Sequence, residues 1–273
     1  MRVAHISDPH FGRLVSADIQ QDLVDCLHTH GCDAVLVTGD LSQRARRSEF
    51  RAARKFLDAI PQPSLVIPGN HDVHAWWHHP ELRLFNPLRR YKKMISRELE
   101  PGISIPGLAV LGINTAHGLT IKGGRCTLSH LDRIRTFFVE QLPETFKILL
   151  VHHPLSVPEE FSGLDAARNG KQVLTAAIES GVDVVCAGHW HLTHTEICDI
   201  SGSSLLISIA GTATSNRWRV PQQGVNSWNL IEKKTESIEI HVYNYDRNSR
   251  TFKVKGTPLS VACQSMVKYD RYK

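Results

Sequence analysis

A chain of 273 residues that is 41% hydrophobic and 22% charged can bury a full core, which excludes collagen-like, coiled-coil and disordered proteins. No apolar run approaches the roughly 18 residues of a membrane span, and no basic and apolar signal segment opens the chain, so we expect a cytoplasmic protein. The formal charge of +5 favours anionic partners mildly, whereas nucleic-acid binding would need a continuous basic face.

Apolar runs and helical patterns alternate along the first two thirds of the chain. Runs rich in Val, Ile and Leu predict buried strands at 3–6, 34–37, 65–67, 148–151 and 182–187. Helical spacing predicts helices at 18–30, 48–60, 129–142 and 171–180. From residue 195 onward consecutive strand patterns predict a second, mostly antiparallel sheet. Two facing mixed sheets flanked by helices make an α/β fold, a four-layer αββα sandwich, in a single domain spanning 1–273.

Residues able to bind a metal ion follow each of the five predicted strands. In chain order they read D-x-H, G-D, G-N-H-D, H-H-P and G-H-W-H, and core packing does not readily produce such a series. The seven candidate ligands are Asp8, His10, Asp40, Asn70, His152, His189 and His191. Side chains at i and i+2 share a face in extended backbone, so Asp8 with His10, and His189 with His191, would point toward one crevice at the strand ends.

The types of ligand predict two metal ions. Imidazoles, carboxylates and one amide suit Mn, Fe or Zn better than Mg²⁺ or Ca²⁺. Two ions about 3.5 to 4 Å apart share a ligand, and Asp40 is the predicted bridge. With Asp40, one ion would be bound by Asp8, His10 and one of the two histidines His189 and His191. The second ion would be bound by Asn70, His152 and the other of these two histidines. His153 would face away from an extended strand end, and we expect the other histidines in core or surface positions.

His71 and Asp72 are the predicted catalytic residues. The His71 imidazole would project past the metals and donate a proton to the departing alkoxide. Asp72 would hold the orientation of that imidazole and support its charged form. The alternatives are a hydrogen-bonding role beside the metal ligands for His71 and a helix or loop cap for Asp72.

The segment 73–100 interrupts the alternation directly after the third ligand loop. It carries two tryptophans, three histidines and the basic cluster Arg89, Arg90, Lys92 and Lys93. A cap over the metal site is one interpretation, and a surface helix with a solvated basic face, its Trp and Phe packed onto the domain, is the other. The stretch 113–125 contains Asn114, Lys122 and Arg125. One interpretation is that these residues contact a phosphate, and the other is that they have turn and surface roles.

The motifs D-x-H, G-D, G-N-H-D, H-x-P and G-H-x-H, spanning residues 8–191, resemble the calcineurin-like metallophosphoesterase superfamily, most closely its bacterial class III cyclic-nucleotide phosphodiesterase branch. The resemblance implies an αββα sandwich, two metal ions, a metal-bridging hydroxide as nucleophile and a histidine acid. It also implies the ligand sets. His191 would join Asp8, His10 and Asp40 at one metal, while Asn70, His152 and His189 would join Asp40 at the other.

A metal-dependent phosphoric ester hydrolase is therefore the expected activity, with a small phosphodiester as the leading substrate and a cyclic nucleotide as one candidate. The alternative is a UDP-2,3-diacylglucosamine-type pyrophosphate hydrolase of lipid A synthesis, in which the segment 73–100 would hold acyl chains. A nuclease is disfavoured by the modest charge. A catalytically silent protein-binding scaffold is disfavoured because every ligand and His71 are present.

Overall fold

Two β-sheets face each other with helices on their outer surfaces in a computed structural model, which describes residues 1–77, 80–119, 123–200 and 202–263. The apolar strand runs meet between the sheets, where Val3, Leu36, Ile148, Val184 and Ile231 are fully buried in one cluster. Two further buried clusters lie between each sheet and its helices. Three apolar layers separate four layers of structure, which confirms the predicted αββα sandwich.

The strands, in chain order, are β1 (Arg2–Ile6), β2 (Ala34–Val37), β3 (Ser64–Val66), β4 (Gly102–Ile105), β5 (Leu108–Gly112), β6 (Phe146–Leu150), β7 (Val184–Ala187), β8 (His194–Ile200), β9 (Ser203–Ile209), β10 (Ser227–Lys233), β11 (Ser237–Asp246), β12 (Thr251–Val254) and β13 (Leu259–Ala262). The first sheet has the order β12-β11-β10-β1-β2-β3, with β13 also pairing β11. The second has the order β4-β5-β6-β7-β9-β8.

The prediction that the C-terminal strands form a second, mostly antiparallel sheet is wrong. Strand β10 pairs antiparallel with β1, β11 and β12 extend the first sheet, each antiparallel to the strand before it, and β9 enters the second sheet parallel to β7. Both sheets are mixed, with parallel strands at their centres. A strand pattern records which faces are buried but not which sheet a strand joins, because either sheet offers the same apolar interior.

The helices are α1 (Ile19–His30), α2 (Arg47–Ala59), α3 (Pro80–Phe85), α4 (Arg89–Met94), α5 (Leu128–Val139) and α6 (Gly170–Glu179), with two short 3-10 helices at Asn70–Asp72 and Glu159–Phe161. The four long helices lie within three residues of their predicted bounds. In α2, Phe50, Ala53, Phe56 and Leu57 recur at helical spacing and are buried against the first sheet. No helix in the described part of the chain has the length and apolarity that a bilayer crossing requires.

The parallel strands of both sheets end at one edge of the molecule. Gly188 N donates to His152 O at 3.0 Å, and Asp8 N donates to Gly39 O at 3.2 Å, so neighbouring strand-end loops are tied together. The loop after β9 crosses between the sheets, since Ala213 N donates to Ser7 O at 3.0 Å. This edge therefore gathers the loops that follow β1, β2, β3, β6, β7 and β9.

Candidate metal centre and active site

Left-handed backbone turns direct most of the candidate ligands into the crevice. Five of the eight non-glycine residues with positive φ in the described chain are candidate ligands: Asp8 (51°), His10 (44°), Asp40 (51°), His189 (69°) and His191 (57°). The prediction that the two i, i+2 pairs lie in extended backbone is wrong, because β1 and β7 end before them, yet their side chains still converge. Each such residue costs on the order of 1 kcal/mol, a strain typical of functional sites.

Glycines precede three of the ligands because another ligand loop passes close by. A Cβ on Gly69 would lie 2.1 Å from Asp40 Oδ1, and a Cβ on Gly188 would lie 1.8 Å from Ser7 Oγ. Any side chain at either position would displace a neighbouring loop. The G-N and G-H motifs are therefore consequences of close packing at the crevice.

The first donor group joins Asp8, His10, Asp40 and His191, whose ligand atoms all lie within 4.8 Å of one another. His10 Nε2 stands 3.0 Å from His191 Nε2, 3.5 Å from Asp8 Oδ1 and 3.6 Å from Asp40 Oδ2. His191 Nε2 lies 3.1 Å from Asp8 Oδ1. Ligands about 2.1 Å from a tetrahedral ion stand roughly 3.4 Å apart, so this spacing fits a metal ion.

The second donor group contains His152, His189 and Asn70. His152 Nε2 and His189 Nδ1 lie 3.2 Å and 3.0 Å from Asn70 Oδ1. His153 also reaches this group, with its ring 4.5 Å from that of His189, so the expectation that it faces away is wrong. Its Nδ1 hydrogen-bonds Thr115 Oγ1 at 2.8 Å, and its Nε2 is buried without a hydrogen-bond partner among the described residues.

One oxygen of Asp40 lies between the two donor groups. Asp40 Oδ1 accepts the backbone N–H of His71 at 2.7 Å, while Oδ2 lies 3.6 Å from His10 Nε2 and 3.4 Å from His152 Nε2. Asp40 Oδ2 and Asp8 Oδ1 are buried and accept no hydrogen bond from the described residues. Buried carboxylate oxygens without donors are unfavourable, so the site fits a cation at each side of Asp40.

Burial keeps two of the candidate imidazoles, those of His10 and His189, in the neutral form that coordinates metals. It lowers the pKa of His10 to about 4 and that of His189 to about 3, so both rings are neutral at pH 7. At His152 burial is outweighed by the Asp40 carboxylate, and the pKa rises to about 9. The pKa of Asp40 is correspondingly held well below its usual range by His152 and His71, against the effect of burial. The site thus combines the neutral imidazoles of His10 and His189 with charged oxygens, and a metal ion at His152 would displace a proton from that ring.

His71 and Asp72 do not form the predicted pair. His71 Nδ1 donates to the carbonyl of Gln43 at 2.8 Å, so Gln43 orients the imidazole. The Asp72 carboxylate accepts hydrogen bonds from the Ser42 N–H and hydroxyl and from the N–H groups of Leu41 and Gly69, at 2.8 to 3.2 Å. Burial, with the charge of Asp40, raises the pKa of Asp72 to about 7, so its ionised form relies on these four donors. The orienting role assigned to Asp72 is therefore corrected to a role in holding the ligand loops.

A cavity of about 320 Å³ opens over the donor groups. His71, Asn70, His189 and His191 line its floor. The segment 73–100 supplies one wall through Trp76, Trp77 and Arg83, and the Arg83 guanidinium lies 5.1 Å over the Trp76 ring. The prediction that the aromatic residues of this segment pack onto the domain is wrong for Trp77 and Phe85, which are 69% and 87% exposed.

The stretch 113–125 supports this wall without reaching the cavity in its described part. Gly118 O accepts a hydrogen bond from Arg83 Nε at 2.9 Å. Asn114 Oδ1 accepts the N–H of Ala116 at 3.0 Å, and neither Asn114 nor Arg125 is among the described residues that line the cavity. Asn114 therefore stabilises a turn. Lys122 lies outside the described residues.

Three arginines of the cavity wall were not predicted: Arg44, Arg217 and Arg219. Arg217 is partly buried, and its pKa is lowered by burial and raised by the nearby Asp40 and Asp8 carboxylates. Arg217 follows β9, which runs parallel to β7 and ends at the same edge of the sheet. A basic residue after this sixth strand end is the sequence feature that could have indicated its place in the cavity. These cations make the mouth of the cavity suited to an anion.

The chain belongs to the calcineurin-like phosphoesterase family, whose model matches residues 1–192 and so includes all seven candidate ligands. The resemblance noted in the sequence is confirmed. Membership implies divalent metal ions, and the paired His and Asp groups are consistent with them. The sequence is similar to the glycerophosphodiester phosphodiesterase GpdQ of Enterobacter lignolyticus (strain SCF1), at 39% identity over 85 residues, which are 28% of this chain and 31% of that protein.

A second relative is the probable glycerophosphodiester phosphodiesterase GpdQ of Arcobacter nitrofigilis, 33% identical over 82 residues, or 26% of this chain and 30% of that protein. The matches thus span about a third of each curated relative. Among solved structures, purple acid phosphatase PPD1 from yellow lupin (Lupinus luteus) seeds superimposes with a TM-score of 0.73 over 97% of this chain and 55% of that chain. At 12% identity, this likeness concerns the fold alone.

Proposed function

We propose that the chain is a metal-dependent phosphodiesterase that uses two metal ions to hydrolyse a small phosphodiester. The observation that carries the proposal is the position of Asp40 Oδ2, buried without a hydrogen-bond donor and 3.4 to 3.6 Å from an imidazole nitrogen of each donor group. A carboxylate oxygen between two ligand sets is the arrangement that a dinuclear site requires.

Each ion has a set of candidate ligands around this shared carboxylate. Asp8, His10 and His191 would hold one ion with Asp40. Asn70, His152 and His189 would hold the other. Mixed nitrogen and oxygen donors favour Mn, Fe or Zn. When bound, such a pair of ions supplies a water molecule of lowered pKa as the nucleophile and neutralises charge on the phosphoryl oxygens.

The protein's own groups complete the chemistry. His71 lines the cavity, and because its Nδ1 donates to Gln43 O, Nε2 is the nitrogen that can deliver a proton to the leaving oxygen. Burial lowers the pKa of His71, against the charge of Asp40, which makes its imidazolium a stronger acid. Arg217 lies at the cavity wall, where its guanidinium would bind the non-bridging oxygens of the substrate phosphate.

The segment 73–100 serves as a substrate cap in this proposal. It closes one side of the cavity with Trp76, Trp77 and Arg83, and this limits the space to about 320 Å³. A cavity of this size suits a small diester better than a nucleic-acid strand. Because the curated relatives are named for glycerophosphodiesters, we propose that class as substrate, with cyclic nucleotides as the nearest competitor.

A second candidate is a pyrophosphate hydrolase acting on a UDP-diacylglucosamine-type lipid. It is favoured by exposed apolar side chains on the cap, since Trp77, Leu84 and Phe85 are 69%, 49% and 87% exposed. Large exposed apolar groups near a cavity mouth are suited to acyl chains.

An assay panel on the metal-reconstituted protein tests the proposal. It compares bis(4-nitrophenyl) phosphate, 4-nitrophenyl phosphate, glycerophosphoethanolamine, cyclic AMP and UDP-2,3-diacylglucosamine. We expect metal-dependent turnover of the diesters that falls at least about 100-fold in Asp40→Asn, because a bridging ligand is lost. Asp33→Asn, a surface carboxylate that accepts the N–H of Arg2, is the matched control with unchanged turnover. Turnover of the lipid alone would select the second candidate, and no turnover of any substrate would reject both.

A further inference from the structure

A second cavity, of about 500 Å³, lies beside the candidate active site, between α2 and α4. Its wall adjoins the first cavity, because Val73 and Ala75 line the candidate active site whereas His74 lines the second cavity. The cationic residues that line it are Arg47, Arg51, Arg89, Arg90 and Lys93, here called the basic cleft. No carboxylate is among the described residues that line it.

The cations of the basic cleft lack the acidic partners that surface helices normally provide. Elsewhere on α2, Arg54 pairs with Asp58 at 2.7 Å. None of the five basic-cleft residues forms an ion pair with a described carboxylate. Like charges that converge on one cavity repel each other, and a bound anion relieves that repulsion.

Packing between α2 and α4 holds the two sides of the basic cleft in place. Tyr91 of α4 is fully buried, its ring 6.2 Å from that of Phe50 in α2, and its hydroxyl donates to Val66 O at 3.3 Å. Arg90 Nη1 donates to the carbonyl of Ala45 at 2.6 Å, which anchors α4 to the loop before α2. The cationic side chains therefore project from a preorganised frame.

We propose that the basic cleft binds a small polyphosphate anion, such as the triphosphate chain of a nucleotide. Five cationic side chains offset the roughly four to five negative charges of a triphosphate, and guanidinium groups bind phosphate oxygens in a bidentate manner. The cavity volume lies within the range of small-ligand pockets. A nucleic acid would instead need a basic face that continues beyond the cleft.

Equilibrium dialysis of the full-length, metal-loaded protein against labelled inorganic triphosphate, with ATP as a second probe, tests the proposal. The variant Arg51→Gln/Lys93→Gln removes two charges from the basic cleft, and we expect its affinity to fall at least about 10-fold. Arg217→Gln/Arg219→Gln removes two charges from the other cavity. Lys171→Gln/Lys255→Gln removes two exposed charges, one from α6 and one from the loop between β12 and β13. Lys171→Gln/Lys255→Gln should bind within about 2-fold of the wild type, whereas Arg217→Gln/Arg219→Gln reports any triphosphate that is bound in the first cavity. Thermal melting of each variant checks that it is folded.

The results separate the proposal from its competitors. Selective weakening in Arg51→Gln/Lys93→Gln supports it for both probes, and tighter binding of ATP than of triphosphate identifies a nucleotide as the source of the anion. Equal weakening in all three variants would show that binding depends on the net charge of the protein alone, and it would overturn the proposal. Weakening only in Arg217→Gln/Arg219→Gln would assign binding to the first cavity. A 20-nucleotide single strand that binds while triphosphate does not would also reject a small-anion site. The readout is binding, so the result is independent of the proposed hydrolysis.

Discussion

His152 Nδ1 donates a hydrogen bond of 2.6 Å to the backbone carbonyl of Thr38, two residues before Asp40. The bond places the Nδ1 proton and directs Nε2 toward Asp40 Oδ2 at 3.4 Å and Asn70 Oδ1 at 3.2 Å. A loop of the first sheet thereby orients a candidate ligand of the second. The candidate metal centre is thus formed across the interface between the sheets.

Replacing His152 by Gln is expected to weaken one metal site selectively. The variant loses a nitrogen donor of the second group but leaves Asp8, His10 and His191 in place. We expect the affinity for one of two metal equivalents to fall about 100-fold, measured by competition with a chromophoric chelator. His130→Gln serves as the control, because it removes a histidine of α5 that lies 3.0 Å from Glu100. Two equivalents retained at wild-type affinity in His152→Gln would contradict the assignment.

Asp72→Asn is expected to lower the free energy of unfolding by about 2 to 4 kcal/mol. The carboxylate accepts four hydrogen bonds inside the protein, and the amide NH₂ of Asn would face donors from Leu41, Ser42 or Gly69. Urea denaturation measures the loss. Asp33→Asn, which retains one acceptor for a single surface N–H, should change stability by under about 0.5 kcal/mol. An Asp72→Asn protein of wild-type stability would contradict the role of Asp72 in holding the ligand loops.

Arg217→Gln is expected to raise the KM for a phosphodiester by about 10- to 100-fold, because a charge-assisted contact with phosphate is lost. Arg247→Gln is the matched control, since that guanidinium lies 5.2 Å over Trp218 and is not among the described residues lining the cavity. Steady-state kinetics with bis(4-nitrophenyl) phosphate gives both constants. Equal effects of the two substitutions on KM would contradict a contact between Arg217 and the substrate phosphate.

His5 makes stability depend on pH. It is fully buried between Ser208 Oγ and Thr38 Oγ1, at 3.0 Å from each, and burial lowers its pKa from 6.5 to about 3. The unfolded chain therefore takes up a proton at this residue between pH 6.5 and 3, and the folded protein loses stability as pH falls through that window.

His5→Gln removes this titration while keeping a polar side chain. Between pH 7.5 and 5 the wild type should lose about 2 kcal/mol more unfolding free energy than the variant. Urea denaturation at the two pH values measures the difference. Parallel pH dependence in the two proteins would show that His5 does not stay neutral in the folded state.

Strand-end residues made the fold and the ligand cluster predictable from the sequence. Runs such as 34–37 and 148–151 are apolar at every position, and each ends in a loop that meets the crevice. Asp40 and His152 follow these runs directly or within three residues, so their convergence required that the strands of two facing sheets end at the same edge. The family model matches residues 1–192, the part of the chain that contains these strand-end motifs.

Other features depend on contacts between residues distant in the chain. Nothing local to Asp72 indicates that its carboxylate meets Leu41 and Ser42, thirty residues away, instead of the adjacent His71 ring. Arg217 reaches the cavity because β9 pairs with β7, and the strand pattern does not encode that pairing. The left-handed φ of His10 and His189 likewise arises from loop packing rather than from their identity.

The number of metal ions bound per chain tests whether the protein has a dinuclear site. It is measured by elemental mass spectrometry of the purified protein after reconstitution with Mn²⁺ and removal of free ions. We expect two ions per chain in the wild type and one or fewer in Asp40→Ala, because both ions would share that carboxylate. One ion or none in the wild type, or two in Asp40→Ala, would contradict it.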